Sequence, residues 1–370
     1  MKTKKFYCKT LLVLLLAGIL PGGSVLAQQY EKSRSLSQSF PATAETSIQI
    51  INKYGNIHVL PWEEDSIRFE INIKVEANKQ SKVDKTYDNI EIEFSETSYY
   101  VIAQTVFGNK KNAFWADVSD FTSSMLNTGA SAQIDYTVYV PTNSELSIDL
   151  KFGSIYMTDH YGKTTVYVSN GDFRGGNFTE LDMDHSFGNV VIDSIQSGSL
   201  TLGYSELKLK HAGNIRITSK SSKPVIGSFN SIRLNSRRDT YFFEEAGTLS
   251  GETSFSYLTM ERLNGNLILE TNYGNLNITD YGKDFSLMNL NASYTDISLI
   301  CGQDLGYSFE AYYDRKTKMI YPNELSSFVN TEIDSDEGNY LLSGQCGKKE
   351  ERAPRIKITM DGGSLNLIHQ

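Results

Sequence analysis

The sequence has few of the residues from which metal centres and nucleophilic active sites are built. Only three cysteines and five histidines occur in 370 residues, and no two histidines have the spacing of a zinc site. Neither a glycine-rich phosphate loop nor a serine elbow is present. The sequence therefore predicts a protein without catalysis, metal or cofactor.

Long hydrophobic runs are also missing. The apolar run at residues 11–20 is too short to span a bilayer. It follows a basic start and precedes small residues ending at Ala27, which is the pattern of a cleaved signal peptide over residues 1–27. We therefore expect an exported protein, periplasmic, on the outer surface or secreted. Its mature chain would begin near Gln28 and have no transmembrane segment.

Positive charge is in the minority, because 35 Lys and Arg stand against 44 Asp and Glu, for a net charge of −9. An acidic chain repels polyanions, so neither nucleic acid nor anionic lipid is expected as a partner. Most charges are interpreted as solvating an outer surface. Asp182, Asp184 and His185 form the best local cluster, but a calcium site needs six or more oxygen ligands.

The sequence does contain one short motif that recurs along most of its length. An aromatic residue is followed by a small or polar one, and aliphatic residues stand three and five positions after the aromatic. Repeats of this kind indicate a fold built from stacked units. The clearest copies begin at Tyr54, Phe152, Phe187 and Tyr273, and looser copies begin at Tyr204, Phe229, Phe255 and Tyr294.

The apolar alternation changes phase within each copy. Around Phe152, apolar residues occupy even-numbered positions up to Leu150 and odd-numbered positions from Ile155 onwards. Side chains of a strand point to opposite faces in turn, so a bend must keep both sets facing one core. We expect the glycine after the aromatic, here Gly153, to supply that bend, because glycine tolerates positive φ.

The anchors of the repeat stand at positions 152, 170, 187, 204, 229, 255, 273 and 294, if Asn170 takes the place of one aromatic. Repeat units of roughly 17–26 residues made of short strands favour an all-β fold, a β-solenoid whose coils bury one shared aliphatic column. The alternative is an antiparallel β-sandwich of hairpin repeats, since Asn170-Gly171 and Asn264-Gly265 are hairpin signals.

The pattern divides the rest of the chain into four segments. They are a leader over residues 28–45, an N-terminal β region over 46–141, solenoid coils over 142–300, and a cysteine-bracketed segment with a closing coil over 301–370. Residues 110–129 carry apolar residues at helical spacing. They are interpreted as a cover for the sheet rather than as a ligand platform formed by Phe114 and Trp115.

Cys301 and Cys346 are the cysteines that remain after signal cleavage. Export brings them into an oxidising compartment, where we expect them to form a disulfide. In the chain-entropy model, closing this loop stabilises the fold by up to about 4 kcal/mol.

Equivalent aromatics of successive coils are expected to stack. We interpret them as a structural corner ladder rather than as sugar platforms. The ladder comprises Tyr54, Phe152, Phe187, Tyr204, Phe229, Phe255, Tyr273 and Tyr294. An enzyme hypothesis stays open, with Asp159, Asp182 and Asp184 as candidates, because the sites of β-helix polysaccharide lyases and hydrolases assemble from several coils.

Together these motifs resemble those of the putative adhesin family of exported bacterial proteins. The family is defined by a domain of unknown function that is related to the head domain of putative autotransporter adhesins. The likeness covers about residues 36–370. It rests on Ser39-Phe40-Pro41, on residues 52–59 with Trp62, on Tyr139-Val140-Pro141 before Phe152-Gly153, and on residues 344–367. The resemblance implies a β-solenoid outside the cytoplasm and, by the family's name alone, adhesion. It supplies no ligand residues.

The sequence thus predicts a non-catalytic binding or structural module of the bacterial cell envelope. It would recognise a surface glycan or an envelope protein through one long face. The alternatives are a structural or sensing component that assembles through its ends, and a β-helix carbohydrate-active enzyme.

Overall fold

The structure is a computed structural model that describes residues 29–43, 45–108, 129–301, 306–321, 327–346 and 353–369. Within these ranges the chain forms twenty-three strands and one helix, so the predicted all-β class is confirmed. No helix in the described part is long and apolar enough to cross a membrane. The signal peptide and, apart from Gly129, the predicted cover over residues 110–129 lie outside the described residues.

The N-terminal region mixes antiparallel and parallel pairing. Its elements are β1 (Tyr30–Pro41), β2 (Ser47–Lys53), β3 (Ile57–Trp62), β4 (Ser66–Ala77), α1 (Gln80–Tyr87), β5 (Ile90–Glu96), β6 (Tyr100–Phe107) and β7 (Ala130–Pro141). β4 lies between β1 and β7 and is antiparallel to both. The predicted leader is therefore a strand over most of its length. Its polar residues fit this position, because every second side chain of β1 faces solvent.

From residue 145 to residue 301 the chain forms strands whose residues pair in parallel with residues 17–21 positions further along, and we call each such repeat of the chain a coil. The strands are β8 (Glu145–Lys151), β9 (Ile155–Met157), β10 (His160–Ser169), β11 (Phe173–Lys220), β12 (Lys223–Arg237), β13 (Thr240–Ala246), β14 (Thr248–Ser254), β15 (Tyr257–Leu263), β16 (Leu267–Asn272), β17 (Asn275–Ile278) and β18 (Leu287–Cys301). Their registered pairings are all parallel. The antiparallel sandwich of hairpin repeats is therefore wrong for this stretch, and Asn170-Gly171 forms a bend between parallel strands.

Register places equivalent residues of successive coils directly over one another. Ile215 pairs with Ile232, and Ile232 pairs with Leu249, so equivalent positions recur at a constant interval here. The same column continues to Leu267 and Met288. These side chains are buried. Burial of each stabilises the fold by about 1.5–3 kcal/mol relative to exposure, so the interior column is the main source of stability.

The bend in each coil is formed by a different residue from the one that the sequence predicts. The aromatic residue, and not the glycine after it, adopts positive φ, as at Phe152 (60°) and Phe187 (60°). Gly153 is needed for space: a Cβ there would lie 1.8 Å from the carbonyl oxygen of Gly55 on the neighbouring coil. A Cβ on Gly171 would lie 1.7 Å from the carbonyl oxygen of Gly153. The glycines therefore form a column of close backbone contacts.

Phe229 does not belong to the corner ladder. It is buried, and its ring packs at 5.3 Å against Phe243 inside the coils. The residues with positive φ between Tyr204 and Phe255 are Ser221 and Arg238. Counting them as corners restores an even spacing from Phe187 to Phe255. The two coils on either side of Phe229 therefore looked longer only because the anchor was wrong.

The C-terminal segment adds strands on the far side of β18. They are β19 (Tyr307–Asp314), β20 (Thr317–Ile320), β21 (Val329–Asp334), β22 (Asn339–Cys346) and β23 (Arg355–His369). β23 lies parallel on β18 along almost its whole length, whereas β22 is antiparallel to β19 and β21. Cys346 is buried and disulfide-bonded. The side chain of Cys301 lies outside the described residues, so its pairing with Cys346 stays a prediction.

His185 is a buried polar residue inside the coils. Its Nε2 lies 2.8 Å from the carbonyl oxygen of Gly171, so Nε2 donates, and Nδ1 lies 2.8 Å from the Ser205 hydroxyl. Burial lowers the pKa of the imidazole below its ordinary value of 6.5, although the bond to Gly171 and the nearby carboxylates of Asp172 and Asp184 act in the opposite direction.

Acid is therefore expected to destabilise the fold through His185. A lowered folded-state pKa means that the unfolded chain takes up the proton more readily, so the contribution is complete above about pH 6.5 and is lost below it. The unfolding free energy should therefore fall more between pH 7.5 and 5.5 in the wild-type chain than in His185→Gln. Urea titrations at both pH values measure this difference. An unchanged pH dependence in His185→Gln would contradict the prediction.

Candidate functional site

One corner of the coils carries a column of backbone-strained residues. All have φ between 48° and 63°, in the left-handed region. They are Tyr54, Phe152, Asn170, Phe187, Tyr204, Ser221, Arg238, Phe255, Tyr273 and Tyr294. We call the seven aromatic members, without Asn170, Ser221 and Arg238, the aromatic column.

Rings of the aromatic column stack face to face where they stand on adjacent coils. Phe187 and Tyr204 have ring centroids 5.0 Å apart and planes 3° apart. Tyr273 lies 5.1 Å from both Phe255 and Tyr294, with planes 8° and 3° apart. At the other end of the column, Tyr54 and Phe152 stack at 5.3 Å. The rings thus form three separate stacks.

The backbone strain offsets much of what ring stacking contributes to stability. A non-glycine residue in the left-handed region costs about 1–3 kcal/mol, whereas a stacked aromatic pair contributes about 0.5–1.5 kcal/mol beyond its burial. Burial is also incomplete, since Phe187 is 53% exposed and Tyr204 is 52% exposed. Asparagine is tolerated at the same corner, as Asn170 demonstrates. The aromatic column is therefore an exposed feature of the surface as well as a stack of rings.

Two interruptions separate the three stacks, and Asn170, Ser221 and Arg238 occupy the corner there. Asn170 separates Phe152 from Phe187 by two coil steps, roughly 10 Å at the usual strand spacing. Ser221 and Arg238 separate Tyr204 from Phe255 by three steps, roughly 14 Å. Ring stacking needs about 4.5–7 Å between centroids, so the rings do not stack across either gap, and a ligand ring in contact with both walls of the shorter gap would lie beside the Asn170 side chain.

A cluster of cations adjoins the longer gap. Arg216 pairs with Arg233 in register, and Lys220 pairs with Arg237, while Arg238 is itself a corner residue. All five side chains are exposed on the outer face or corner of β11 and β12. We call them the basic patch. Neighbouring strands lie about 4.8 Å apart, and residues four apart on one strand lie about 13 Å apart, so the patch is compact.

Within the described part of the chain, no acidic side chain lies at ion-pair distance from the basic patch. Residues 207–238 contain eight Lys and Arg but neither Asp nor Glu. None of the five patch residues forms an ion pair within the described part of the chain. On the adjoining face, by contrast, Lys210 pairs with Asp193 at 2.5 Å.

A shallow groove of about 420 Å³ crosses the same face. It is lined by Asp182, Gly198, Ser199, Asn214, Ile215, Arg216, Ser231 and Arg233. A Cβ on Gly198 would lie 2.0 Å from the carbonyl oxygen of Leu181, so the backbones approach closely here, and the Ser199 hydroxyl donates to Asp182 at 2.5 Å. The groove therefore joins two patch arginines to the neutral groups of Ser199, Asn214 and Ser231 and to the carboxylate of Asp182.

Another cavity, of about 350 Å³, lies beside Tyr54 and Phe152. Its cation is Lys74, which forms ion pairs with Glu76 at 2.6 Å and with Glu31 at 3.1 Å. These hydrogen bonds raise the pKa of the Lys74 ammonium. Because this charge is already paired, the cavity is a weaker candidate than the basic patch for binding an anion.

The candidate catalytic carboxylates do not converge. Asp159 accepts hydrogen bonds from the backbone and side-chain amides of Asn177, both at 2.9 Å. Asp182 accepts from Ser199, Asp184 is exposed, and His185 is turned inward. The described residues contain no group of three or more His, Cys, Asp or Glu that could hold a metal ion.

No family model matches this chain, and no curated protein matches it. Similar solved structures include a putative adhesin and a putative lipid binding protein, both from Parabacteroides distasonis, and a putative cell adhesion protein from Clostridium sporogenes. Each is 8% identical; they cover 90%, 91% and 92% of this chain and 97%, 96% and 100% of their own chains, with TM-scores of 0.30, 0.27 and 0.17. Two of the three are named for adhesion. The name agrees with the family that the sequence resembles, but a likeness this distant carries no conclusion about function.

The basic patch was missed at the sequence level. The net charge of −9 was applied to the whole chain, although residues 207–238 have the opposite sign throughout. Ser221 and Arg238 were missed as corner residues because Phe229 was taken as the anchor. Counting onwards at the interval that separates Phe187 from Tyr204 identifies both of them.

Proposed function

We propose that the protein is an exported, non-catalytic, adhesin-like binding module of the cell envelope, built as a β-solenoid. Parallel pairing between successive coils supports the solenoid, as does the single interior column from Ile215 to Met288. Its binding surface is the long corner that carries the aromatic column, and its ligand is a glycan.

The observation that carries this proposal is the exposed, interrupted aromatic column. Aromatic rings present apolar surface at low conformational cost, and the apolar face of a sugar ring packs on such surfaces. Within a stack each ring face is covered by its neighbour, so a ligand ring has access only at the gaps. Phe152 and Phe187 face one gap, and Tyr204 and Phe255 face the other.

Loss of the gap walls is expected to abolish glycan binding. Phe187→Ala/Tyr204→Ala removes one wall of each gap, and we expect at least tenfold weaker binding to any glycan that the wild-type chain retains on an array. The exposed Tyr161→Ala is the matched control, because its ring is 53% exposed but lies away from the corner. Near-ultraviolet and far-ultraviolet circular dichroism verify that the variants are folded. Equal glycan binding by the double variant and the wild type would refute the role of the aromatic column.

A further inference from the structure

We propose that the basic patch binds the carboxylate or sulfate groups of an acidic polysaccharide at the longer gap of the aromatic column. This inference rests on the proposed glycan-binding function and names the ligand class. The patch comprises Arg216, Lys220, Arg233, Arg237 and Arg238.

The arrangement of charge is the first argument. Like charges directly opposite each other on neighbouring strands destabilise a sheet, and here two such pairs stand side by side, Arg216 with Arg233 and Lys220 with Arg237. None has an acidic partner in the described chain, although acids outnumber bases overall. An anionic ligand would relieve this repulsion.

The chemistry of the side chains is the second argument. Four of the five are arginines, whose planar guanidinium presents parallel donors that match the two oxygens of a carboxylate or sulfate. Lys220 adds a mobile point charge beside Ser221, the smallest residue of the corner. The groove lined by Ser199, Asn214 and Ser231 supplies neutral hydrogen-bonding groups for hydroxyls.

Proximity to the open rings is the third argument. Lys220 directly precedes Ser221, and Arg237 directly precedes Arg238, so the cations border the gap between Tyr204 and Phe255. A sugar ring in this gap would stack on an aromatic face while its acidic group reaches an arginine. This pairing of apolar and anionic recognition fits a charged sugar better than a neutral one.

The basic patch is too small to be the binding site of a long polyanion of uniform charge. It spans two coils, and exposed acids occur on either side of it: Asp184 precedes it, and Glu252 pairs in register with Asn235 at its far side. A nucleic acid duplex or an anionic membrane would meet these carboxylates over a wider footprint and be repelled. A flexible glycan chain is narrow enough to contact the patch without contacting the carboxylates on either side of it.

Binding of the full chain to five probes tests the inference. The probes are a sulfated glycosaminoglycan, a polyuronate, a neutral glucan, duplex DNA, and vesicles containing phosphatidylglycerol. We expect at least one acidic glycan to bind at least tenfold more tightly than the other three probes, with an affinity that falls as salt is raised. Equal or tighter binding of the glucan, DNA or vesicles would overturn the assigned ligand class.

Charge variants test the assigned residues. Arg216→Gln/Arg233→Gln and the stronger Arg216→Glu/Arg233→Glu should each weaken binding of the acidic glycan at least tenfold. The matched control, Lys163→Glu/Lys283→Glu, changes exposed lysines outside the patch and should stay within twofold of wild type. Thermal unfolding verifies the fold, and the glutamine variant serves if the glutamate variant does not fold. Undiminished binding by a folded patch variant would overturn the site.

The same panel separates the two proposals. If the glucan binds as well as the acidic glycans, and Phe187→Ala/Tyr204→Ala abolishes that binding, the proposed function stands and the basic patch inference fails. If no glycan binds and no array member is retained, both fail.

Discussion

Replacing Gly171 with alanine is expected to destabilise the fold by roughly 4 kcal/mol or more, although it adds only one methyl group. The added Cβ would lie 1.7 Å from the carbonyl oxygen of Gly153 on the adjacent coil. Backbone atoms cannot move aside as a flexible side chain does, so the coils must separate locally and lose registered hydrogen bonds. Urea-induced unfolding followed by circular dichroism measures the loss.

Gly203→Ala is the matched control for this prediction. Gly203 also lies next to a corner residue, but the nearest atom to its added Cβ would be 3.8 Å away. Its φ is outside the left-handed region, so alanine there introduces no backbone strain. We expect an unfolding free energy within about 0.5 kcal/mol of wild type. Similar stability for Gly171→Ala and Gly203→Ala would show that the coils are not in close backbone contact.

The second large effect is expected at Asp239, a carboxylate that is 1% exposed. It accepts hydrogen bonds from the hydroxyls of Ser219 and Ser236, both at 2.7 Å, and from the backbone amides of Ser222 and Arg237, at 2.7 and 2.9 Å. Asp239→Ala would leave four donors without this acceptor, and three of them, the two hydroxyls and the Ser222 amide, are buried. We expect a loss of about 3–5 kcal/mol in unfolding free energy, measured by urea titration.

The comparison for Asp239 is an acid that is well paired but exposed. Asp193 forms its ion pair with Lys210 on the surface, where solvent screens both charges. Asp193→Ala should therefore change the unfolding free energy by less than about 1 kcal/mol. If the two alanine variants lose the same small amount, the buried network around Asp239 does not hold the coils together.

The interior of the fold could be predicted because burial imposes a pattern on the sequence. Ile215 and Ile232 had to be apolar at equal positions of successive coils, and the phase change at Phe152 required a bend. The sequence did not reveal which residue of the bend turns left-handed. Glycine is the usual choice, but here Gly153 is required by the neighbouring backbone, and contacts between coils are invisible in a linear pattern.

The candidate site was harder to predict because a surface obeys weaker rules. The aromatic column was recognised from its repetition, but Phe229 was added to it since an aromatic followed by aliphatics occurs inside the coils too. The basic patch brings together Arg216 and Arg233, which are distant in sequence and adjacent only by register. Whole-chain charge averages away such a local reversal of sign. Charge counted coil by coil, after the period of the repeat was fixed, would have found it.

The position of β23 has a consequence for how the chain is made. Leu287 to Cys301 pairs with Arg355 to His369, so the last large parallel contact joins segments that are far apart in the sequence. Until β23 has docked, β18 therefore presents an uncovered row of amides and carbonyls along one edge. Such a row is a template for pairing with another chain that has not finished folding. Rapid docking of β23 on β18 is thus needed to keep the protein from aggregating while it folds.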